Sequence, residues 1–250
     1  MNAPPPLLQV HQLRKRFGGV VATDGVDLQL HRSEVHALIG PNGAGKTTLV
    51  AQLGGQLAPD SGRIVFDGAD ITALSAHQRA RRGLARSFQI TRLFENFTVL
   101  EHIALALQAH SGSSVRAWRP VAHERALWAQ AHEHLPPLGL HDCAGAMVDT
   151  LSHGQRRALE VGMAMAGAPR LVLLDEPMAG MGPDESPRME ALIRTLGQRT
   201  TLLLIEHDVD AVFRLAHRVS VLVNGQIIAS AAPDAVRRDE RVIAAYLGQE

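Results

Sequence analysis

The run Gly40-Pro41-Asn42-Gly43-Ala44-Gly45-Lys46-Thr47 carries the clearest chemistry in the chain. Its glycines let the backbone curl so that N–H groups face inward on phosphate oxygens. Lys46 is placed to neutralise the β- and γ-phosphates, and the Thr47 hydroxyl, followed by Thr48, to ligate Mg²⁺. A second set closes Leu171-Val172-Leu173-Leu174-Asp175-Glu176, where two carboxylates stand at the end of an apolar run. Ligands of open α/β sheets sit at the carboxyl ends of strands. Asp175 would hold Mg²⁺ through water, and Glu176 would take a proton from an attacking water or orient it. A third set is Leu151-Ser152-His153-Gly154-Gln155. Ser152 stands where a helix N-cap belongs, so its hydroxyl, the Gly154 backbone and the helix dipole can meet a phosphate. Alone these residues describe an ordinary capped helix; beside the first two sets they become a second phosphate contact.

The first set needs a strand before it and a helix after it. Val35 to Ile39 reads as a buried strand and KTTLVAQLGG as a helix. Further strands are expected in LLQVHQLRKRF, which alternates apolar and polar residues, at Val26 to Leu30, and at Gly62 to Phe66 before the turn Asp67-Gly68. Leu171 to Leu174, Thr201 to Ile205 and Val219 to Val223 follow, separated by helical stretches. Asn224-Gly225 then marks a hairpin returning through QIIAS. This order implies an α/β fold with a parallel sheet and an antiparallel portion. From about Ile90 to Ser152 the spacing turns helical around a loop at Ser111 to Pro120, which reads as an inserted helical lobe.

Balanced charge, 25 basic against 25 acidic residues, gives no basic excess of the kind nucleic-acid binding draws on. Arg79, Arg81, Arg82 and Arg86 cluster, and on charge alone they read as a solvated helix face. The single cysteine, Cys143, allows no internal disulfide and reads as a structural thiol. No apolar run approaches the ~20 residues that span a bilayer. MNAPPPLLQV has neither a charged n-region nor a long apolar stretch, so no export signal is expected. The 13 histidines do not have metal-site spacing; His132-Glu133-His134 points its histidines to different helix faces.

GPNGAGKTT, LSHGQ and LVLLDEP occur here in the order found in nucleotide-binding domains of the ABC family, and LSHGQ resembles that family's LSGGQ signature. The resemblance runs from Leu8 to Gly248. It implies a single domain with a P-loop NTPase (RecA-like) core, an antiparallel β portion and an inserted α-helical subdomain. The core lobe would take about 7–89 and 153–250, and the helical subdomain about 90–152. It implies ATP and Mg²⁺ as ligands, held between two subunits, each ATP meeting the phosphate loop of one and Ser152, His153, Gly154 and Gln155 of the other. By the same resemblance Phe17 stacks on adenine, Gln89 senses Mg²⁺ and links to a membrane subunit, and His207 contacts the γ-phosphate. Lys46, Glu176 and His207 would be catalytic; Thr47, Gln89 and Asp175 would serve the metal.

Three positions depart from the family pattern. His153 replaces the middle glycine of the signature, as in some importer ATPases. Gly182 stands in place of an aspartate that takes part in crosstalk between the two ATP sites, and Ser33 in place of a glycine. RSFQITRLFENFTVLEHIALA, DEPMAGMGPDE, LLIEHDVDAVFRLAHRVSVLVNGQIIA and the terminal AYLG together resemble ATPases of branched-chain amino acid importers, a group that also handles urea and short amides. A similar module drives lipopolysaccharide export, but DEPMAGMG and AYLGQE favour the importers. The resemblance implies transmembrane permease subunits, a second ATPase subunit (identical or a sister chain) and, indirectly, a periplasmic binding protein. It places the chain at the cytoplasmic face of the inner membrane, with Thr91 to Val99, including Phe94 and Phe97, as the docking surface. A soluble ABC ATPase of translation or DNA repair would carry paired domains, coiled-coil insertions or basic surfaces. A non-hydrolysing regulator would not keep Lys46, Asp175, Glu176 and His207.

Overall fold

The alternation near the start of the chain becomes β1 (Leu8–Phe17), which buries Leu8, Val10 and Leu13 on one side. The structure, a computed structural model, describes residues 4–87, 93–110 and 125–247. Strand β2 (Val20–Leu30) pairs antiparallel with β1 and begins earlier than Val26. Its first half looks too polar for a strand, but Thr23 is fully buried and donates through Oγ1 to Gln52 Oε1 at 3.1 Å. All of β3 (Val35–Ile39) is buried. His36 within it is satisfied by Ser220 Oγ at 2.8 Å and Glu34 Oε1 at 3.2 Å.

After β3 come α1 (Lys46–Gly54), β4 (Ser61–Phe66) and, past a tight turn at Asp67-Gly68, β5 (Ala69–Asp70). Helix α2 (Ala76–Arg81) starts with a Ser75/Gln78 capping box, and β6 (Leu84–Arg86) follows it. The helical stretch contains α3 (Val99–His110) and α4 (Arg125–His134); the loop expected at Ser111 to Pro120 lies outside the described residues. The chain continues through α5 (His153–Met165), β7 (Leu171–Asp175), α6 (Ser186–Gly197), β8 (Thr201–Ile205) and α7 (Val209–Leu215). Last come β9 (Arg218–Val223), β10 (Gln226–Ala231), α8 (Pro233–Arg237) and α9 (Glu240–Leu247).

Two sheets result. The first, in the order β2-β1-β4-β5, is antiparallel throughout. The second runs β10-β9-β3-β8-β7-β6, with all its neighbours parallel except the β9–β10 hairpin at one edge. The antiparallel portion is therefore larger than the hairpin alone. One core fills the space between the sheets around Leu49, Ile64, Leu171 and Leu203. Another joins α3, α4, α5 and α6 to the opposite face of β7 and β8 through Ile103, Leu138, Leu159, Val172 and Leu202. Among the described residues no helix is long and apolar enough to cross a membrane.

Only half of the arginine cluster is a solvated face: Arg81 and Arg82 are exposed, Arg79 and Arg86 are not. Arg79 is 1% exposed and fastens α2 to the end of α1. Its NH1 donates to the carbonyls of Gln52 and Leu53 at 2.7 Å, and its Nε and NH2 donate to those of Leu74 and Thr72 at 3.0 Å. The last carbonyls of a helix lack intrahelical donors, and a buried guanidinium supplies them. Burial lowers its pKa to about 10, which leaves it charged at neutral pH. Arg86 turns inward as well, toward Asp175.

Candidate active site

The parallel order aligns the carboxyl ends of β3, β7 and β8, where Gly40, Glu176 and Glu206-His207 begin the next segments. The loop from Gly40 to Gly45 leads straight into α1, so the first N–H groups of that helix are free of intrahelical partners. Gly45 is the N-cap, with φ 104°, and a Cβ there would lie 2.0 Å from the carbonyl oxygen of Ala22. A Cβ at Gly40 would lie 2.0 Å from the oxygen of Leu222. The loop is thus pressed between β2 and β9, and Gly225 N donates to Ala44 O at 2.9 Å from the β9–β10 turn. Backbone this close to backbone requires glycine.

Lys46 is buried and curls back over the loop, its Nζ donating to Gly40 O at 2.6 Å and Pro41 O at 3.0 Å. Burial pulls its pKa below the usual lysine value; the charges of Glu176 and Asp175 oppose that pull. Asp175 ends β7, almost completely buried, with Arg86 NH2 donating to its Oδ2 at 2.8 Å. Arg86 Nε is the one buried side-chain polar atom without a partner among the described residues.

Glu176 leaves the strand in the left-handed region, at φ 50°, a conformation that costs a non-glycine residue about 1–3 kcal/mol. Its N–H donates to Ile205 O at 2.9 Å, which ties the strained residue to β8. His207 Nε2 donates to Glu176 Oε1 at 2.5 Å. Glu206, buried beside them, accepts from Met178 N at 2.8 Å and His207 N at 3.3 Å. Burial raises the Glu206 pKa.

Ser152 caps α5 and forms a capping box with Gln155. His153 Nε2 reaches across to donate to Ala179 O at 2.9 Å, so the residue replacing the signature glycine holds the segment that follows Glu176. Glu185, from the same segment, accepts from Ser152 Oγ at 2.8 Å and from Gly154 N at 3.0 Å. Gly182 meets nothing that a Cβ would touch.

The structure therefore gathers the phosphate loop, Asp175, Glu176 and His207 at one end of the sheet. The Ser152-to-Gln155 helix start is tied to that end through the segment 177–185. Phe17 ends β1, half exposed, with Lys15 Nζ 5.8 Å from its ring centroid. Gln89 and Thr91 lie outside the described residues. Phe94 and Phe97 stay partly exposed and pack with tilted rings, centroids 5.1 Å apart; Phe94 stacks on His102 and Phe97 meets it edge-on. Arg86, Glu185 and Glu206 are site residues that sequence reasoning missed. Of these only Glu206 left a signal, a carboxylate directly after the apolar run of β8. Cys143 donates to Leu140 O at 3.3 Å, and burial raises its pKa.

The sequence profile of the ABC transporter family matches residues 23–179, which include the phosphate loop, the signature and Glu176. The chain belongs to the ABC transporter family. Its last part, residues 226–250, matches the profile of the branched-chain amino acid ATP-binding cassette transporters. It is 38% identical, over 98% of both chains, to the high-affinity branched-chain amino acid transport ATP-binding protein BraF of Pseudomonas aeruginosa. To the LivG protein of the same description from Escherichia coli it is 37% identical, again over 98% of both. Among solved structures, the ADP conformation of MJ1267, an ATP-binding cassette of an ABC transporter, superposes with a TM-score of 0.87 at 29% identity. That superposition covers 98% of this chain and 100% of MJ1267. This ABC chain binds ATP, and its fold is the P-loop α/β core with an antiparallel sheet and a helical portion anticipated from its motifs.

Proposed function

We propose that this chain is the ATP-hydrolysing motor subunit of an importer for branched-chain amino acids or related amides, seated on the cytoplasmic face of the inner membrane. The chemical half of the reading rests on Glu176, held in strained backbone and hydrogen-bonded to His207 beside Asp175 and Lys46. The transport half rests on the match of residues 226–250 and on relatives, matched over nearly their whole length, that are branched-chain amino acid transport ATP-binding proteins.

In this reading Phe17 stacks on the adenine and the loop from Gly40 to Thr48 wraps the phosphates. Lys46 exchanges its two carbonyl partners for phosphate oxygens, a charge-assisted and stronger pairing. Thr47 and Asp175 offer hard oxygens that suit Mg²⁺, and Arg86 already sets a cation against Asp175. Gln89 would complete that donor set. Mg²⁺, when bound, neutralises charge on the β- and γ-phosphates. Glu176 accepts the proton of the attacking water, and His207 holds the Glu176 carboxylate until the γ-phosphate draws the histidine away.

Ser152, Gly154 and the dipole of α5 bind the γ-phosphate of an ATP held by a second ATPase subunit, so nucleotide closes the dimer and hydrolysis opens it. The core lobe is about 7–89 and 153–250, and the helical lobe about 90–152. At the start of the helical lobe, Phe94 and Phe97 form part of the surface on which a permease loop rides.

The test is ATP turnover by the purified chain beside Glu176→Gln, with dimerisation followed by light scattering. Wild type should hydrolyse ATP only with Mg²⁺. The variant should lose ~10²-fold or more and persist as an ATP-bound dimer. Equal turnover in the two proteins removes Glu176 from its role.

A further inference from the structure

The donors at the start of α5 are already taken. Glu185 Oε1 accepts from Ser152 Oγ at 2.8 Å and from Gly154 N at 3.0 Å. A carboxylate oxygen thus sits on one side-chain donor and one backbone donor at a helix N-terminus, the arrangement that also suits a phosphate oxygen. The fit is close. A Cβ on Gly154 would come within 2.9 Å of the Glu185 carboxyl carbon, so the glycine leaves room for this carboxylate. The N–H of Gly154 and the hydroxyl of Ser152 hold the Glu185 pKa below the usual carboxylate range, which keeps the group ionised at neutral pH.

We propose that Glu185 is an internal stand-in for the γ-phosphate: it occupies the signature donors in the free subunit and must leave when the partner's ATP arrives. This rests on the reading of Ser152 and Gly154 as γ-phosphate ligands. Two anions cannot share one pair of donors without strong repulsion. Glu185 therefore competes with ATP-driven closure and sets how much ATP closure requires. Its release also carries information. Glu185 lies nine residues after Glu176, on a segment that His153 holds at Ala179 and Glu206 holds at Met178. ATP arriving at the signature of a subunit thereby loosens one of the ties on the segment that begins at that subunit's own Glu176. The missing aspartate at Gly182 is thus offset by a carboxylate three residues later. Arg188 lines the same cavity beside Ser152 and Gly154 and, one turn along α6, offers the displaced carboxylate a new partner.

The experiment measures the ATP concentration that half-saturates dimerisation in the Glu176→Gln background, by light scattering, with and without Glu185→Ala or Glu185→Gln. Removing the competing anion should lower that concentration about tenfold for Glu185→Ala. Glu185→Gln should shift it less, because its amide oxygen still accepts from the same donors. The glutamine variant also guards against a fold defect in the alanine one, since it preserves size. An unchanged or higher ATP requirement in both variants overturns the proposal while leaving the ATPase reading intact. No ATP-driven dimer in Glu176→Gln itself overturns the reading of the signature site, and the stand-in with it.

Discussion

Replacing Gly45 by alanine should disable the nucleotide site, whereas the same change at Gly43, two residues earlier in the same loop, should not. Both glycines have positive φ, 77° at Gly43 and 104° at Gly45, so both alanines pay a conformational cost of ~1–3 kcal/mol. Their surroundings differ. A Cβ on Gly43 meets nothing within 4 Å, while one on Gly45 would stand 2.0 Å from Ala22 O. Carbon and carbonyl oxygen settle at about 3.3 Å or more, so the loop or β2 must give by about 1.3 Å. The N–H groups of Lys46 and Thr47 move with it, and a displacement of about 1 Å at a positioning element costs on the order of 10²-fold. Calorimetric titration with ATP reads this directly, and melting temperature checks it. Ligand at 100 times its Kd stabilises a protein by about 2.7 kcal/mol, and a 100-fold loss of affinity leaves ~0.4 kcal/mol. Gly45→Ala should therefore lose nearly all ATP-dependent stabilisation, and Gly43→Ala should stay within about tenfold of wild type. Equal losses in the two variants would refute the steric argument and leave strain alone as the reason for glycine.

Arg79→Leu should lower stability by about 3 kcal/mol, since it removes the buried donors to the carbonyls of Leu53, Thr72 and Leu74 and leaves Gln52 O with Gly55 N alone. That is ~6–12 °C in a thermal melt for a domain of this size, and a loss below 2 °C would contradict the capping role. Glu206 has a raised pKa in the folded chain, so it favours folding while protonated and that contribution fades as pH rises through its folded pKa. Glu206→Gln should therefore be more stable than wild type at neutral pH and lose the advantage near pH 4, as chemical denaturation across pH would reveal. The Glu176→Gln and Glu185→Ala experiments complete the set.

Motifs defined by neighbours in sequence were legible at once. Val35 to Ile39 and Thr201 to Ile205 were read with their observed ends, because short, mostly apolar runs closed by Gly40 and by Glu206 leave little choice. Asn224-Gly225 forms the expected turn for the same local reason, both residues having positive φ. Short elements escaped: β6 has three residues and only makes sense paired with β7, about 87 positions later. The early half of β2 escaped because its polar Thr23 is satisfied by Gln52 on α1. Arg79 and Arg86 looked like surface charge because their partners, helix carbonyls and Asp175, are assembled by tertiary contact. Glu185 was hidden likewise, since nothing near it in sequence reveals that it reaches back 33 residues to Ser152.

The walls of the phosphate loop come from opposite ends of the chain. Ala22 backs Gly45 from one side, and Leu222 backs Gly40 from the other, with Gly225 gripping Ala44. During synthesis the loop sequence emerges early, but its second wall follows some 180 residues later. At about 5–20 residues per second that interval is roughly 10–35 s. A nascent or truncated chain ending before β9 lacks the surface that shapes Gly40, so ATP capture is tied to completion of the central sheet.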